Sequence, residues 1–195
     1  MTLVDETIPV PQVSPSEYER TVRDWIDNAA GRDLIDYKSS HQEIVAGSDG
    51  EYEIDVVARF SALGGAQFTV LIECKRHKAK VKREVVQTLI ARLHSVGAHK
   101  GMIFSTSGFQ SGAIEVAGVH GIALIQLAHG ITSWLAKSVD RETSVLPDYI
   151  DPVVGWLITN DCASLVSIQE VGSLGGALGL RPVSSAISSR PDEGR

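Results

Sequence analysis

Apolar residues recur at helical spacing in three segments of the chain. The first follows Ser14-Pro15, a capping hydroxyl and a first-turn proline, and its apolar positions 18, 22, 25, 26 and 29 precede Gly31. The second spans residues 81–96 and is followed by Gly97, a residue typical of a helix end. A shorter pattern covers residues 111–119. We therefore predict three helices, the first of about 14 residues.

Strand patterns fill the intervals between these helices. Residues 34–45 are ambiguous but favour one strand, which the turn Gly47-Ser48-Asp49-Gly50 follows. Residues 53–60 and 68–75 are rich in β-formers, and Leu63-Gly64-Gly65 between them is typical of a hairpin. Residues 102–105 and 121–125 are short apolar runs that predict buried strands.

The predicted order is a helix, three strands, and then helix, strand, helix, strand. It indicates an α/β fold, a three-layer sandwich whose mixed central sheet is flanked by helices. Residues 14–130 form the predicted domain, after a flexible leader at 1–13. Residues 131–171 are expected to pack on this core, with a helix around Trp134 and a strand at 156–159. Residues 172–195 are rich in Gly, Ser and Pro and are expected to be a flexible tail.

Charged residues interrupt the two strands of the predicted hairpin. Strand alternation places Glu73 and Lys75 on one face of residues 68–75. It also places Asp55 on the opposite face of its strand from Ile54 and Val56. Charges at the end of an apolar strand are costly to desolvate unless they pair or bind a metal. Either a buried ion-pair network or a catalytic site would explain them.

The register of the hairpin decides whether these acids meet. Asp55 faces Glu73 only if the position numbers of opposed residues add up to 128, which requires an odd-numbered loop centred on Gly64. A three-residue loop, Leu63-Gly64-Gly65, with Gly65 in the left-handed region, meets this requirement. A two-residue Gly64-Gly65 turn would put the acids on opposite faces. Two carboxylates and a lysine on one edge would suit Mg²⁺-assisted hydrolysis of a phosphodiester.

A basic segment follows the second strand of the hairpin. Residues 75–83 hold six Lys or Arg in nine positions, although the chain has a net charge of −6. Cations at a helix N-terminus oppose the helix dipole unless an anion binds there. A solvated surface would also explain the run, but contact with a DNA backbone is the favoured interpretation. The residues expected to contact DNA are Arg76, Lys78, Lys80, Lys82 and Arg83.

Composition narrows the remaining classes of function. Two cysteines, Cys74 and Cys162, form no CxxC pair or zinc ligand set, and Cys74 is expected to be a small core residue. The first residues lack the basic and apolar parts of a signal peptide, and no apolar run is long enough to span a membrane. A cytoplasmic protein without a membrane partner is therefore expected.

Several motifs together resemble the PD-(D/E)xK nucleases, specifically the Mrr-like (type IV) restriction endonucleases. They are I-D-V-V at 54–57 and L-I-E-C-K at 71–75, the basic K-R-H-K that follows, and a V-x-x-x-V-V-Q helix carrying Gln87. The F-S-T-S-G-F motif at 104–109 and A-x-x-x-A-x-x-x-G-I at 113–122 also resemble the family. The resemblance covers roughly residues 15–130.

The resemblance implies a restriction endonuclease-like fold and a metal-dependent endonuclease that hydrolyses DNA in restriction, defence or repair. Asp55 and Glu73 would bind Mg²⁺, or Mn²⁺ in its place, and Lys75 would orient or activate water. It also implies that Glu19, in a Tyr-Glu pair on the first helix, is a metal ligand and that Gln87 belongs to the catalytic set.

The segment before the aspartate, G-S-D-G-E-Y-E-I-D, departs from the family's G-D-G-G-I-D and leaves Asp49 and Glu53 as further candidate acids. A homodimer is a further expectation, because two DNA strands need two sites. The alternatives are a catalytically silent nucleic-acid-binding module with the same fold and a protein-interaction subunit.

Overall fold

The structure, a computed structural model, describes residues 14–30, 34–129, 153–160 and 163–166. Over these residues the chain forms three helices and seven strands. The helices are α1 (Pro15–Ala30), α2 (Arg83–Val96) and α3 (Ser111–His120). The strands are β1 (Ile35–Ala46), β2 (Glu51–Ala62), β3 (Ala66–Lys75), β4 (Lys100–Ser105), β5 (Ala123–His129), β6 (Val153–Ile158) and β7 (Ala163–Val166).

The strands form one mixed sheet in the order β1-β2-β3-β4-β5-β6-β7. β3, β4 and β5 are parallel, because α2 and α3 carry the chain back between them, whereas the outer strands are antiparallel. One apolar cluster joins α1 to one face of the sheet, and a second joins α2 and α3 to the other face. The predicted three-layer α/β sandwich is therefore confirmed.

The start of α1 is a capping box. The Ser14 Oγ accepts a hydrogen bond from the Glu17 backbone N–H at 3.2 Å, and the Glu17 carboxylate accepts one from the Ser14 N–H at 2.6 Å. The helix then buries Tyr18, Val22 and Trp25 against the sheet. This helix start was predicted correctly, and the pair at Ser14 and Glu17 shows why the chain becomes helical there.

The start of α2 was predicted wrongly. The helix begins at Arg83 rather than at Val81, which forms a parallel bridge with Phe109 and buries its side chain. A contact with a residue 28 positions later therefore takes Val81 out of the helix. As a result, the buried residues of α2 are Val86, Leu89 and Leu93.

The strand predicted at residues 121–125 is also displaced. Gly121, with φ 65°, caps the end of α3, and β5 runs from Ala123 to His129 instead of over residues 121–125. β6 overlaps the strand predicted at residues 156–159 but begins three residues earlier, and β6 and β7 extend the sheet beyond β5. The leader at 1–13, the helix around Trp134 and the tail at 172–195 lie outside the described residues. The domain boundaries remain predictions.

The hairpin of β2 and β3 has the predicted register. Position numbers add up to 128 in every pair from Val56↔Ile72 to Ala62↔Ala66. The loop has three residues, and Gly65 has a φ of 122°. The register that brings Asp55 to the level of Glu73 is therefore confirmed.

Beyond Val56 the two strands of the hairpin separate. β2 continues along β1, while β3 continues along β4. Asp55 has no ladder partner in β1 or in β3. Gln42, which lies opposite Asp55 in β1, has a φ of 52°. Because the ladder is irregular here, Ile54 packs under α2 and α3 although Val56 packs under α1. The prediction that Ile54 and Val56 share a face was wrong.

None of the helices in the described residues is long and apolar enough to cross a membrane.

Candidate active site

The candidate site lies where β2 and β3 separate, a region that we call the fork and define by Asp55, Glu73 and Lys75. The backbone N–H of Cys74 points towards β2 and donates a hydrogen bond of 2.6 Å to the Asp55 Oδ2. Since β2 and β3 pair no further than Val56↔Ile72, the Asp55 side chain accepts a bond that a backbone carbonyl would accept in a continued ladder. This bond fixes Asp55 beside the end of β3.

Glu73 is buried, with 8% of its surface exposed, and two cations contact its carboxylate. The Lys75 Nζ donates to the Glu73 Oε1, and the Arg92 Nη1 donates to the Oε2 at 2.7 Å. The prediction that Glu73 and Lys75 are neighbours on one face of β3 is therefore confirmed. A buried carboxylate without such partners would be costly, so the two cations explain how Glu73 stays buried.

Asp55 has the opposite electrostatic environment. Burial, and then the charge of Glu73, raise the pKa of Asp55 to about 6. The hydrogen bond from Cys74 and the charge of Lys75 lower the pKa of Asp55, and Glu19 raises it further. Asp55 is thus a half-buried acid whose negative charge is not fully compensated.

Glu19 lies within electrostatic reach of Asp55, but its carboxylate is bound to β1. The Glu19 Oε2 is 2.7 Å from the His41 Nε2 and accepts a hydrogen bond of 3.1 Å from the Gln42 Nε2. The side chains of Glu19 and His41 are each 13% exposed. The structure therefore brings Glu19 towards the fork without a direct contact to Asp55 or Glu73.

Gln87 does not join the fork. Its side chain is exposed, and among the described residues it makes no hydrogen bond to the site. Arg92, five positions further along α2, points about 140° away from Gln87 around the helix axis and makes the contact with Glu73. Arg92 was not predicted from the sequence. Its position beside buried Leu89 and Leu93, which places a cation at the margin of an apolar stripe, is the signal that could have identified it.

The two other candidate acids also lie outside the fork. Asp49 accepts hydrogen bonds from the Tyr52 hydroxyl at 2.7 Å and from the Ser95 hydroxyl, and these bonds, the one from Ser95 first, lower the pKa of Asp49. Asp49 therefore fastens the β1–β2 turn to the last turn of α2. Glu53 is exposed.

The basic segment, residues 76–83, runs from the end of β3 to α2 and is mostly exposed. Backbone hydrogen bonds of 2.9 Å join the Val81 N–H to the Gly108 carbonyl and the Gln110 N–H to the Val81 carbonyl. These two bonds fix the basic segment to the loop that follows β4. The side chains of Lys78, Lys80, Lys82 and Arg83 are exposed, and Arg76 is half-buried.

The hydroxyl groups of the F-S-T-S-G-F motif add to this connection. The Ser107 Oγ donates to the Ala79 carbonyl at 2.7 Å, and the Thr106 Oγ1 donates to the His77 carbonyl at 3.2 Å. The motif thus holds the backbone of the basic segment while the charged side chains of the segment stay in solvent. This gives a structural role to a motif whose role the sequence left open.

The oxygen donors of the fork fit a hard divalent cation. Asp55 and Glu73 offer carboxylate oxygens, which Mg²⁺ prefers, and the uncompensated charge of Asp55 would attract a cation. Among the described residues, no three His, Cys, Asp or Glu side chains are grouped as a metal-binding set. Two carboxylates suit Mg²⁺, because Mg²⁺ usually keeps several waters and takes one or two protein carboxylates.

Comparison with solved structures finds similarity to three chains. A protein of unknown function, AF1548, is 26% identical over 57% of each chain, with a TM-score of 0.47. The DNA modification-dependent restriction endonuclease AspBHI is 15% identical over 63% of this chain and 35% of its own, with a TM-score of 0.42. The MspJI restriction endonuclease, solved with a 27-mer oligonucleotide, is 17% identical over 65% of this chain and 32% of its own, with a TM-score of 0.37. The chain thus matches little more than half of AF1548 and about a third of the two restriction enzymes.

No curated protein matches the sequence significantly. The family evidence is the match of residues 12–132 to the Mrr catalytic-domain model, described as restriction endonuclease. This match covers more than half of the chain, and it includes α1, the fork, the basic segment and the motif that holds it. The chain therefore belongs to the Mrr-type restriction endonuclease family.

Proposed function

We propose that the protein is a metal-dependent endonuclease that hydrolyses DNA phosphodiester bonds at the fork. The observation that carries this proposal is Asp55, a half-buried acid with an incompletely compensated charge, held beside Glu73 and Lys75. An ion-pair network that only stabilised the fold would compensate its acids, as the two cations compensate Glu73. Perturbed acids with a specific charged neighbour are typical of functional sites.

Asp55 and Glu73 are the proposed ligands of a divalent ion, and Glu19 is a proposed third acid of the site. Restriction endonuclease-like proteins generally use divalent metals, and the carboxylate donors favour Mg²⁺, with Mn²⁺ as a substitute. When bound, the ion supplies positive charge that stabilises the phosphate in the transition state. Glu19 reaches this role only if its carboxylate leaves His41 and Gln42.

Lys75 is the proposed group that orients water and stabilises developing negative charge. Its ammonium is held by Glu73 and its side chain is 23% exposed, so solvent and a substrate phosphate can reach it. A preorganised cation at the point where charge develops is an effective way to lower the barrier of phosphoryl transfer. The bond with Glu73 fixes the position of the ammonium before the substrate arrives.

The basic segment is the proposed contact with the DNA backbone. Its cations start directly after Lys75 with the half-buried Arg76 and continue with the exposed Lys78, so phosphates that they bind would lie near the fork. Lys82, the N-cap residue of α2, makes no side-chain capping hydrogen bond, which leaves donors of the first turn for an anion. A role in restriction, defence or repair, and a homodimer with one site for each DNA strand, complete the proposal.

The test is a plasmid-cleavage assay with Mg²⁺, Mn²⁺ or EDTA on methylated and unmethylated DNA. The variants are Asp55→Asn and Glu73→Gln, which preserve shape and remove charge. Glu51→Gln is the matched control, because Glu51 is an exposed acid at the start of β2, the strand that carries Asp55. We expect metal-dependent cutting that falls by about 10²-fold or more in the two fork variants and is unchanged in the control.

A negative result has a defined meaning. If folded wild-type protein cuts no duplex, single-stranded or branched DNA with any metal, the nuclease proposal is wrong. DNA binding without cleavage would then support the alternative, a catalytically silent binding module.

A further inference from the structure

The carboxylate of Glu73 is contacted on both oxygens by cations. Lys75 comes from the same strand, and Arg92 comes from α2, 19 positions away in the sequence. The side chains are 10% exposed for Glu73, 23% for Lys75 and 26% for Arg92. A divalent ion that binds Glu73 therefore meets a carboxylate that two cations already occupy.

The charge balance of the fork follows from these contacts. Asp55 and Glu73 contribute two negative charges, and Glu19 adds a third within electrostatic reach of Asp55. Lys75 and Arg92 contribute two positive charges. Charge repulsion at distances of a few ångströms is strong in a partly buried site. Lys75 has a proposed part in the chemistry, whereas Arg92 comes from a different element and donates its hydrogen bond to the Glu73 carboxylate.

We propose that Arg92 is a positioning residue that holds Glu73 in the DNA-free protein and competes with the divalent ion for it. An arriving DNA phosphate then attracts Arg92 away from Glu73 and releases the carboxylate for the metal. This inference rests on the proposed function. A guanidinium suits both states, because its planar set of N–H donors can form paired hydrogen bonds with either a carboxylate or a phosphate.

The arrangement couples metal binding to DNA binding. DNA that attracts Arg92 raises the affinity for the metal, and by linkage the metal raises the affinity for DNA to the same extent. The DNA-free protein then binds the metal weakly. Removal of Arg92 tightens metal binding, whereas loss of a merely structural contact would weaken it.

The first experiment measures Mn²⁺ affinity by calorimetry without DNA, for wild type, Arg92→Gln and Arg92→Lys. We expect Arg92→Gln to bind Mn²⁺ about tenfold more tightly than wild type, a difference of about 1.4 kcal/mol. Arg92→Lys keeps the charge and should bind close to the wild-type value. Arg59→Gln is the control, because Arg59 pairs with a different carboxylate, Glu43, and its loss should leave Mn²⁺ affinity unchanged.

A second measurement adds a phosphorothioate duplex that resists cleavage. With this DNA bound, wild type should approach the Mn²⁺ affinity of Arg92→Gln, because the phosphate has already taken Arg92 from Glu73. A persisting tenfold gap would overturn the release step.

The outcomes separate this inference from the proposed function. Unchanged or weaker Mn²⁺ binding by folded Arg92→Gln overturns the role of Arg92, even where Asp55→Asn still abolishes metal binding. If wild type and Arg92→Gln bind no Mn²⁺, both the metal site and the competition are wrong. If only Arg92→Gln binds, the competition is supported.

Discussion

The two ends of the β2–β3 hairpin contrast sharply. At the closed end, near the loop, Phe60 and Phe68 stack with ring centroids 5.3 Å apart, and the strands pair regularly up to Ala62↔Ala66. At the open end the strands separate, and the Asp55 carboxylate accepts a hydrogen bond from the Cys74 backbone N–H. The same two strands are therefore joined by apolar contacts and a backbone ladder at one end and carry the fork at the other.

The difference separates the part of the hairpin that stabilises the fold from the part where we propose the chemistry. Stacked aromatic rings in a regular ladder stabilise the fold without unsatisfied polar groups. The fork has a cost, because the raised pKa of Asp55 means that the folded state disfavours its charge. Apolar residues at these positions would avoid that cost. The contrast can be tested with substitutions at each end, from the largest expected effect to the smallest.

The largest effect is expected for Lys75→Met. This change keeps the aliphatic stem and removes the ammonium, so cleavage should fall by about 10²–10⁴-fold. Single-turnover rates on plasmid DNA measure the loss. Lys38→Met, which changes an exposed lysine of β1, is the control and should cut like wild type. Retained cutting by Lys75→Met would exclude Lys75 from the chemistry.

At the closed end, Phe60→Ala should lower the free energy of unfolding by about 3 kcal/mol, since it removes a buried ring and leaves a cavity. Urea denaturation measures the change. The Mn²⁺ affinity that we propose for the fork should stay unchanged. Val119→Ala, at a position that is 77% exposed, should have little effect on unfolding. If Phe60→Ala lowers the free energy of unfolding no more than Val119→Ala does, the closed end does not stabilise the fold as we infer.

At the fork, Asp55→Asn should stabilise the protein, in contrast to Phe60→Ala. The free energy of unfolding should rise by about 1–2 kcal/mol at pH 7.5, a value that is reduced because Asp55 is partly exposed to solvent. Folding raises the pKa of Asp55 from an ordinary 3.8 to about 6, so folded wild type loses stability as pH rises through this window. The advantage of the variant should therefore be complete above about pH 6 and absent below about pH 4. Urea unfolding across pH tests the sign, and destabilisation at pH 7.5 would contradict it.

The smallest effects are expected in the basic segment. Lys78→Gln removes one proposed phosphate contact, so the slope of log affinity against log salt should fall by about one. Ser107→Ala removes the hydrogen bond to the Ala79 carbonyl and should weaken DNA binding a few-fold at an unchanged salt slope. Fluorescence anisotropy at several salt concentrations distinguishes the two results. If Lys78→Gln and wild type bind DNA with the same affinity and the same salt dependence, Lys78 does not contact the DNA backbone.

Much of the fold could be predicted because its signals are local. The capping residues at Ser14, the alternation in β3 and the glycine after α2 each depend on a few neighbouring positions. The sequence tied the register of the hairpin to the length of its loop, and the structure decided for the three-residue loop over the two-residue turn. The proximity of Glu73 and Lys75 followed from their spacing of two.

The failed predictions depend on contacts between residues far apart in the sequence. Val81 leaves the helical pattern because it pairs with Phe109, and Ile54 changes face where β2 leaves β3. The motif pointed to Gln87 and gave no sign of Arg92, because a motif identifies residue types but not the direction in which a helix presents them. The packing of α2 on the sheet decided that direction.

The sequence by itself thus determined the elements, the order of the layers and the acids and lysine of the fork. Only the tertiary structure decided that the β2–β3 ladder stops at Val56, that Asp55 accepts a hydrogen bond from Cys74, and that Arg92 donates one to Glu73. The physical reason is that alternation, capping and loop length act over a few residues. The charge environment of a buried acid depends instead on every element that packs around it.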